Sequence, residues 1–344
     1  MAEPSSSNKK DKPDNGGGST LTVVLAGAMN LAIAILKLIA GLVTGSSAML
    51  AEAVHSVADT ITEILLLTAL RTSAKPADRR HPFGYGKARY FWALLAAVSI
   101  FVSGAVFALY EGFSTVLGEA EEQTSPIVAY VVLAVAFVLE GTSWTQALRQ
   151  VRREAREAGR TLRAHLRDSD DPAPKTVLYE DSAALTGLLL AFAGVGLHQL
   201  TGSSLWDGLA SIAIGVLLAG VAFLLGRTNA GLLIGQQADP ALLMGVRDTL
   251  RGAPEVDAVV DLQTMLIGTD RVLVCARVDF VDTITAGELE RVCLRLASTL
   301  EGRFHDVTEV FIEPVPRSDA DLRATVLARY GDRAKYSRVA EDEP

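Results

Sequence analysis

The sequence predicts an α-helical membrane protein: six transmembrane helices followed by a small α+β cytosolic domain. Three observations lead there. Apolar residues make up 49% of the 344 positions, yet 32 basic and 40 acidic side chains remain, so apolar and charged residues must be segregated along the chain. Six apolar runs each approach the roughly 20 residues needed to cross a hydrocarbon core of about 30 Å. Beyond Arg227 the pattern changes to short β-rich runs and amphipathic helices.

Residues 1–20, rich in Ser, Gly and Lys, lack an apolar core followed by a small-residue cleavage site. They read as a disordered cytosolic tail and not as a signal peptide. The transmembrane domain, residues 21–228, holds the six spans, approximately Leu21 to Val43, Ala48 to Leu70, Tyr90 to Tyr110, Pro126 to Trp144, Thr176 to Leu197 and Leu205 to Leu225. Spans one and two are joined by Thr44-Gly45-Ser46-Ser47, and spans five and six by the similar Thr201-Gly202-Ser203-Ser204. Lys and Arg crowd the connections 71–90 and 149–175, whereas the connection from Gly112 to Ser125 carries Glu119, Glu121 and Glu122 and neither Lys nor Arg. The positive-inside rule then puts both termini in the cytosol. With short loops and no targeting segment, the expectation is a multi-pass protein of the cell (plasma) membrane, in contact with the lipid bilayer.

In the soluble part, residues 237–316, Asp239 before Pro240 signals a helix to about Arg251. Strands are expected at Val256 to Ile267, Arg271 to Phe280 and Val307 to Val315, with a helix from about Thr285 to Leu300 between the last two. This order is that of a small α+β domain. Residues 317–344 form a charged tail, expected to be loosely ordered.

A net charge of −8 argues against nucleic-acid binding, which needs clustered basic residues facing phosphates. Cys275 and Cys293, the two cysteines, exclude a disulfide scaffold and a thiolate zinc cluster and read as small buried apolar residues.

Four spans are plainly apolar, whereas the second and fifth carry acids. In the second, Glu52, His55, Asp59 and Glu63 recur at spacings of three and four and share one helical face. Ionisable groups are costly inside a membrane, so such a stripe should face a cavity or a partner helix. His55 and Asp59, one turn apart, can direct a ring nitrogen and a carboxylate oxygen at one ion. In the fifth span Asp181 opens a long apolar run, and Glu180 precedes it about 100° round the helix. Asp181 is the better-placed ligand. Three ligands, His55, Asp59 and Asp181, leave a position that water or Glu180 could fill. An open site of mixed nitrogen and oxygen donors suits zinc, and extra carboxylate would tilt it towards manganese or iron. Lys37, Asn30 and Glu140 read as packing or supporting polar groups.

On these residues the chain resembles the cation diffusion facilitators, the cation-efflux family of zinc transporters, over about residues 21–316. The family's second-helix pattern, His or Asp followed four residues later by Asp, is met as His55-Ser56-Val57-Ala58-Asp59. In the fifth helix the pattern is Val177-Leu178-Tyr179-Glu180-Asp181, with Val177 at the histidine position. Together with Leu166-Arg167-Asp168-Ser169-Asp170-Asp171-Pro172, it is similar to the branch containing the ninth vertebrate zinc transporter. The resemblance implies a homodimeric exporter, a secondary active transporter and not an enzyme, with the soluble domains pairing. The cargo it implies is Zn2+, with Mn2+, Fe2+ and Co2+ as alternatives. Metal requires neutral His and ionised carboxylates, so metal efflux would be coupled to protons as counter-ion.

Some family members bind a second metal in the loop between helices two and three. Asp78 and His81 match that pattern but Tyr85 holds its last position, which implies a weak second site. Where relatives hold a binuclear site in the soluble domain, this chain has Val260, Arg277 and Glu313, so none is expected there. The rivals are a metal sensor or scaffold that binds without transport, a manganese or iron transporter of the same family, and a membrane metalloenzyme. The last lacks a His-Glu-x-x-His spacing among the five histidines.

Overall fold

The computed structural model describes residues 16–118, 126–157, 159, 161–168 and 171–330, with backbone alone at 16–29, 126, 167–168 and 330. Residues 1–15 of the expected N-terminal tail, the acidic connection at 119–125, Ser169 and Asp170 of the family-like run, and the chain beyond 330 lie outside the described residues.

The elements run α1 (Gly16–Thr44), α2 (Ser47–Ser73), α3 (Ala88–Ser99), a π-helical stretch Ile100–Ala105, α4 (Val106–Leu117), α5 (Pro126–Glu157), α6 (Leu162–Asp168), α7 (Pro172–Thr201), α8 (Leu205–Ile234), α9 (Pro240–Arg251), β1 (Val256–Gly268), β2 (Arg271–Phe280), α10 (Ala286–Arg303), β3 (Val307–Pro314) and α11 (Ala320–Tyr330). Among the described residues five helical spans are long and apolar enough to cross a membrane: Ser47–Ser73, Ala88–Leu117, Ile127–Glu157, Pro172–Thr201 and Leu205–Ile234. The described apolar part of α1, Asn30–Thr44, adds a shorter one. The fold class is that of a helical membrane protein carrying a small α+β domain. α1 begins within the stretch read as tail. α5 continues past the expected end of the fourth span because its basic end is still good helix, with Gln150 and Arg153 each reaching an acid four residues on, Glu154 at 3.0 Å and Glu157 at 3.9 Å.

The chain forms two compact units. The first comprises the described residues within 1–63, 102–139 and 184–218. Without a strong hydrophobic drive between helices in lipid, close packing there depends on small residues. Gly112 and Gly208 face one another so closely that a Cβ on Gly112 would lie 2.8 Å from the Gly208 carbonyl oxygen. Ser211 Oγ adds a hydrogen bond of 2.8 Å to the Ala108 carbonyl. The buried Asp207, in the first turn of α8, accepts hydrogen bonds from Ser46 Oγ (2.7 Å), Ser47 N (2.6 Å) and Ser47 Oγ (3.0 Å), and so caps the start of α2.

The second unit comprises the described residues within 64–101, 140–183 and 219–344. Its sheet has the order β1-β2-β3, with β1 and β2 antiparallel and β2 and β3 parallel. α9 packs against β1 and α10 against β3. Alternate β2 residues Val272, Val274, Ala276, Val278 and Phe280 are buried in a core with Val246, Leu250, Val292, Leu296 and Leu300 from the two helices. Asp239 caps α9 by accepting from Ala241 N at 2.7 Å, and Thr285 and Glu288 form a reciprocal capping box on α10. Tyr90, at the start of α3, belongs to the same core. Before it, Gly86 packs so closely on the backbone of Ile267 and Gly268 that a Cβ would collide with the Ile267 carbonyl oxygen.

Two further details differ from the sequence reading. Cys275 is exposed, because it lies on the sheet face opposite the helices; Cys293 is partly buried. Part of the expected loose tail is the helix α11, which Asp319 caps by accepting from Leu322 N at 2.9 Å and Arg329 ties to the nearly buried Asp261 at 2.7 Å.

Candidate metal centre

α2 carries the acidic stripe. His55 is buried, with Nδ1 3.4 Å from Asp59 Oδ1, so a nitrogen and a carboxylate oxygen meet across one helical turn as the four-residue spacing requires. The outer members of the stripe face α1. Lys37 Nζ lies 3.3 Å from Glu52 Oε2 and donates to Ser56 Oγ at 2.8 Å, and Asn30 Nδ2 donates to Glu63 Oε1 at 2.5 Å. These residues belong to the first unit.

The acids of α7 belong to the second unit. Asp181 Oδ2 accepts a hydrogen bond of 2.9 Å from Ser143 Oγ on α5. Beside it, Trp144 Nε1 donates to Ser182 Oγ at 2.9 Å, and that hydroxyl donates to the Leu178 carbonyl at 2.6 Å. Glu180 is buried. Ser143 and Val177, one turn before Asp181, line a cavity of about 380 Å³ whose wall also holds Gln146, Gln150, Arg89 and Asp171. Arg89 and Asp171 form an ion pair at 2.8 Å. Burial pushes the Asp171 carboxyl above the ordinary value of 3.8, and Arg89 partly opposes the shift.

Spacing did not reveal Ser143 or the Arg89–Asp171 pair. A Ser in an apolar helix is usually a packing residue, and Arg89 reads first as a topology determinant. The exposed loop positions Asp78 and His81 do come together, with His81 Nδ1 3.3 Å from Asp78 Oδ1. Both Asp78 oxygens serve the turn: Oδ1 accepts from Arg80 N (2.8 Å) and His81 N (2.7 Å), and Oδ2 from Tyr85 OH (2.8 Å). The Tyr85 hydrogen bond is the main reason the Asp78 carboxyl is held below its ordinary value. Among the described residues, no three His, Cys, Asp or Glu side chains gather as a group that could hold a metal. The structure thus brings the predicted residues together in pairs and half-sites.

Residues 23–234 match the model of the cation efflux transmembrane domain. The chain is 35% identical over 263 residues to a frog (Xenopus laevis) protein named proton-coupled zinc antiporter SLC30A9, mitochondrial, covering 76% of this chain and 47% of the relative. The human protein of the same name is 33% identical, with 76% and 46% covered. The Bacillus subtilis manganese efflux system protein MneP is 24% identical over 87% of this chain and 96% of its own length. The chain therefore spans about half the length of the zinc-antiporter relatives. Those relatives are mitochondrial proteins, which overturns the plasma-membrane expectation and leaves a multi-pass membrane protein. Loop charge reports which side of a bilayer a segment faces and carries no address. With its membrane-spanning region matched almost from end to end, the chain belongs to the cation efflux family, a family of metal-cation transporters and not of enzymes.

Proposed function

We propose that this protein carries a divalent transition-metal ion, zinc, across a membrane in exchange for protons. The single observation that carries the reading is the buried His55 on a membrane-spanning helix, its Nδ1 3.4 Å from the Asp59 carboxylate. That pair supplies one nitrogen and one oxygen donor, and Asp181 on α7 supplies the next oxygen, with Glu180 or water completing the shell. The names of the frog and human relatives support both the zinc cargo and the proton coupling.

Coupling follows from the ligands themselves. Loading needs a neutral imidazole and ionised carboxylates, so metal and protons compete for the same atoms, and whichever side is more acidic releases the metal. The transporter works as a homodimer, each protomer holding its own site, with the α+β domains pairing. The loop pair Asp78 and His81 is at most a weak second site, since the turn already uses both Asp78 oxygens.

Manganese is the second reading. It is favoured by Val177 at the position where a histidine would have added a nitrogen donor, and by the name of the Bacillus relative. The deciding test is uptake of zinc and of manganese into proteoliposomes holding the purified protein, with and without a pH gradient, beside Asp59→Ala and Asp181→Ala. The proposal expects zinc uptake that follows the gradient and disappears in both variants. Binding without uptake would instead identify a metal sensor.

A further inference from the structure

On spacing alone, any of the four ionisable residues on the α2 stripe could bind the ion. Glu52 lies one turn before His55, two turns before Asp59, and on the same face. A third α2 donor would change the chemistry of the site, because added carboxylate oxygen favours harder ions such as manganese over zinc. What holds Glu52 therefore bears on which metal is moved.

The structure gives each Glu52 oxygen its own place. Oε2 faces Lys37 Nζ at 3.3 Å, and both side chains are fully buried. Lys37 is itself tied down, since it donates to Ser56 Oγ at 2.8 Å. Oε1 sits over Gly187 of α7, where the Cβ of any other residue would collide with it. A cation lies on one side of this carboxylate, and on the other Gly187 leaves room for it. The same helix treats the far end of the stripe alike. Asn30, seven residues before Lys37 and so on the same face of α1, donates to Glu63 at 2.5 Å.

We propose that Lys37 is a specificity-determining residue: it holds Glu52 away from the transported ion, so that α2 offers His55 and Asp59 alone and the site prefers zinc to manganese. The inference rests on the metal site proposed above. Lys37 touches no cargo and acts through Glu52. A buried Lys–Glu pair can also serve packing alone, but a packing role would lower the uptake of both metals together and leave their ratio unchanged.

The test measures zinc and manganese uptake into proteoliposomes for the full chain, Lys37→Met, and the double variant Lys37→Met/Glu52→Gln, which removes both charges at nearly constant volume. In Lys37→Met the released Glu52 shifts the zinc-to-manganese ratio towards manganese by about 10-fold or more. In the double variant the ratio returns to that of the parent. An unchanged ratio in Lys37→Met overturns the inference. So does a double variant that has lost the zinc preference, because Glu52 would then be a ligand. If Lys37→Met cannot be recovered folded, the double variant decides by that second criterion. Asp59→Ala separates the two levels. If it transports like the parent, the site and this inference fall together; if it is inactive while the Lys37→Met ratio stays flat, only this inference falls.

Discussion

Asp207 caps a helix that begins 160 positions earlier: its Oδ2 accepts both the backbone N–H (2.6 Å) and the hydroxyl (3.0 Å) of Ser47 at the first residue of α2. Helix starts leave backbone N–H groups without intrahelical partners, and inside a membrane domain water cannot serve them. Asp207 therefore fixes the end of the helix that carries His55 and Asp59. Asp207→Ala should lower stability by about 2 kcal/mol, within the range for hydrogen bonds to a charged group. Asp207→Asn, which keeps one acceptor oxygen, should lose less. Thermal unfolding of the detergent-solubilised protein measures both, and an Ala variant as stable as the parent would refute the capping role.

Ser143 donates to the Asp181 carboxylate at 2.9 Å, and in the proposed metal site this bond would orient the carboxylate. Removing such a supporting partner typically costs about 10- to 100-fold in metal affinity. Ser143→Ala should therefore bind zinc at least about 10-fold more weakly by isothermal titration, whereas Ser143→Thr should keep most of the affinity.

Gly86 allows the loop before α3 to lie against the backbone of Ile267 and Gly268. In Gly86→Ala the new methyl meets main chain, which cannot rotate aside, so the cost should be about 1–3 kcal/mol. Hydrogen exchange should quicken at the β1–β2 turn and leave α9 unchanged. Equal protection in variant and parent would mean that the contact carries no stability.

Glu288 is held below its ordinary value of 4.5, chiefly by the hydrogen bond from the Thr285 backbone N–H in the capping box and next by the Thr285 hydroxyl. A carboxyl whose pKa is lower folded than unfolded stabilises the fold at pH values above the unfolded pKa, and that contribution disappears as pH falls through the folded pKa. The first turn of α10 should thus open more readily below about pH 4. Glu288→Gln should flatten that pH response in hydrogen exchange of residues 286–290.

The elements of this protein are written locally. Hydrophobic run length marks membrane spans, Asp239-Pro240 and the Thr285/Glu288 box mark helix starts, and alternating apolar residues mark the sheet, so β1 and β2 lie within one residue of where they were expected. α11 escaped that reading because the ion pair that ties it down, Arg329 with Asp261, joins residues 68 positions apart.

The three- and four-residue spacing determined that Glu52, His55, Asp59 and Glu63 share one face of α2, because helical geometry is a property of the chain alone. It paired His55 with Asp59 one turn apart and left open what faces Glu52 and Glu63. Only the tertiary structure decided that Lys37 and Asn30 of α1 face Glu52 and Glu63, and that Ser143 meets Asp181. The physical reason is that hydrogen bonds and ion pairs act over about 3–4 Å. Which side chains come that close is set by how helices pack, and packing brings together residues whose separation in sequence carries no signal.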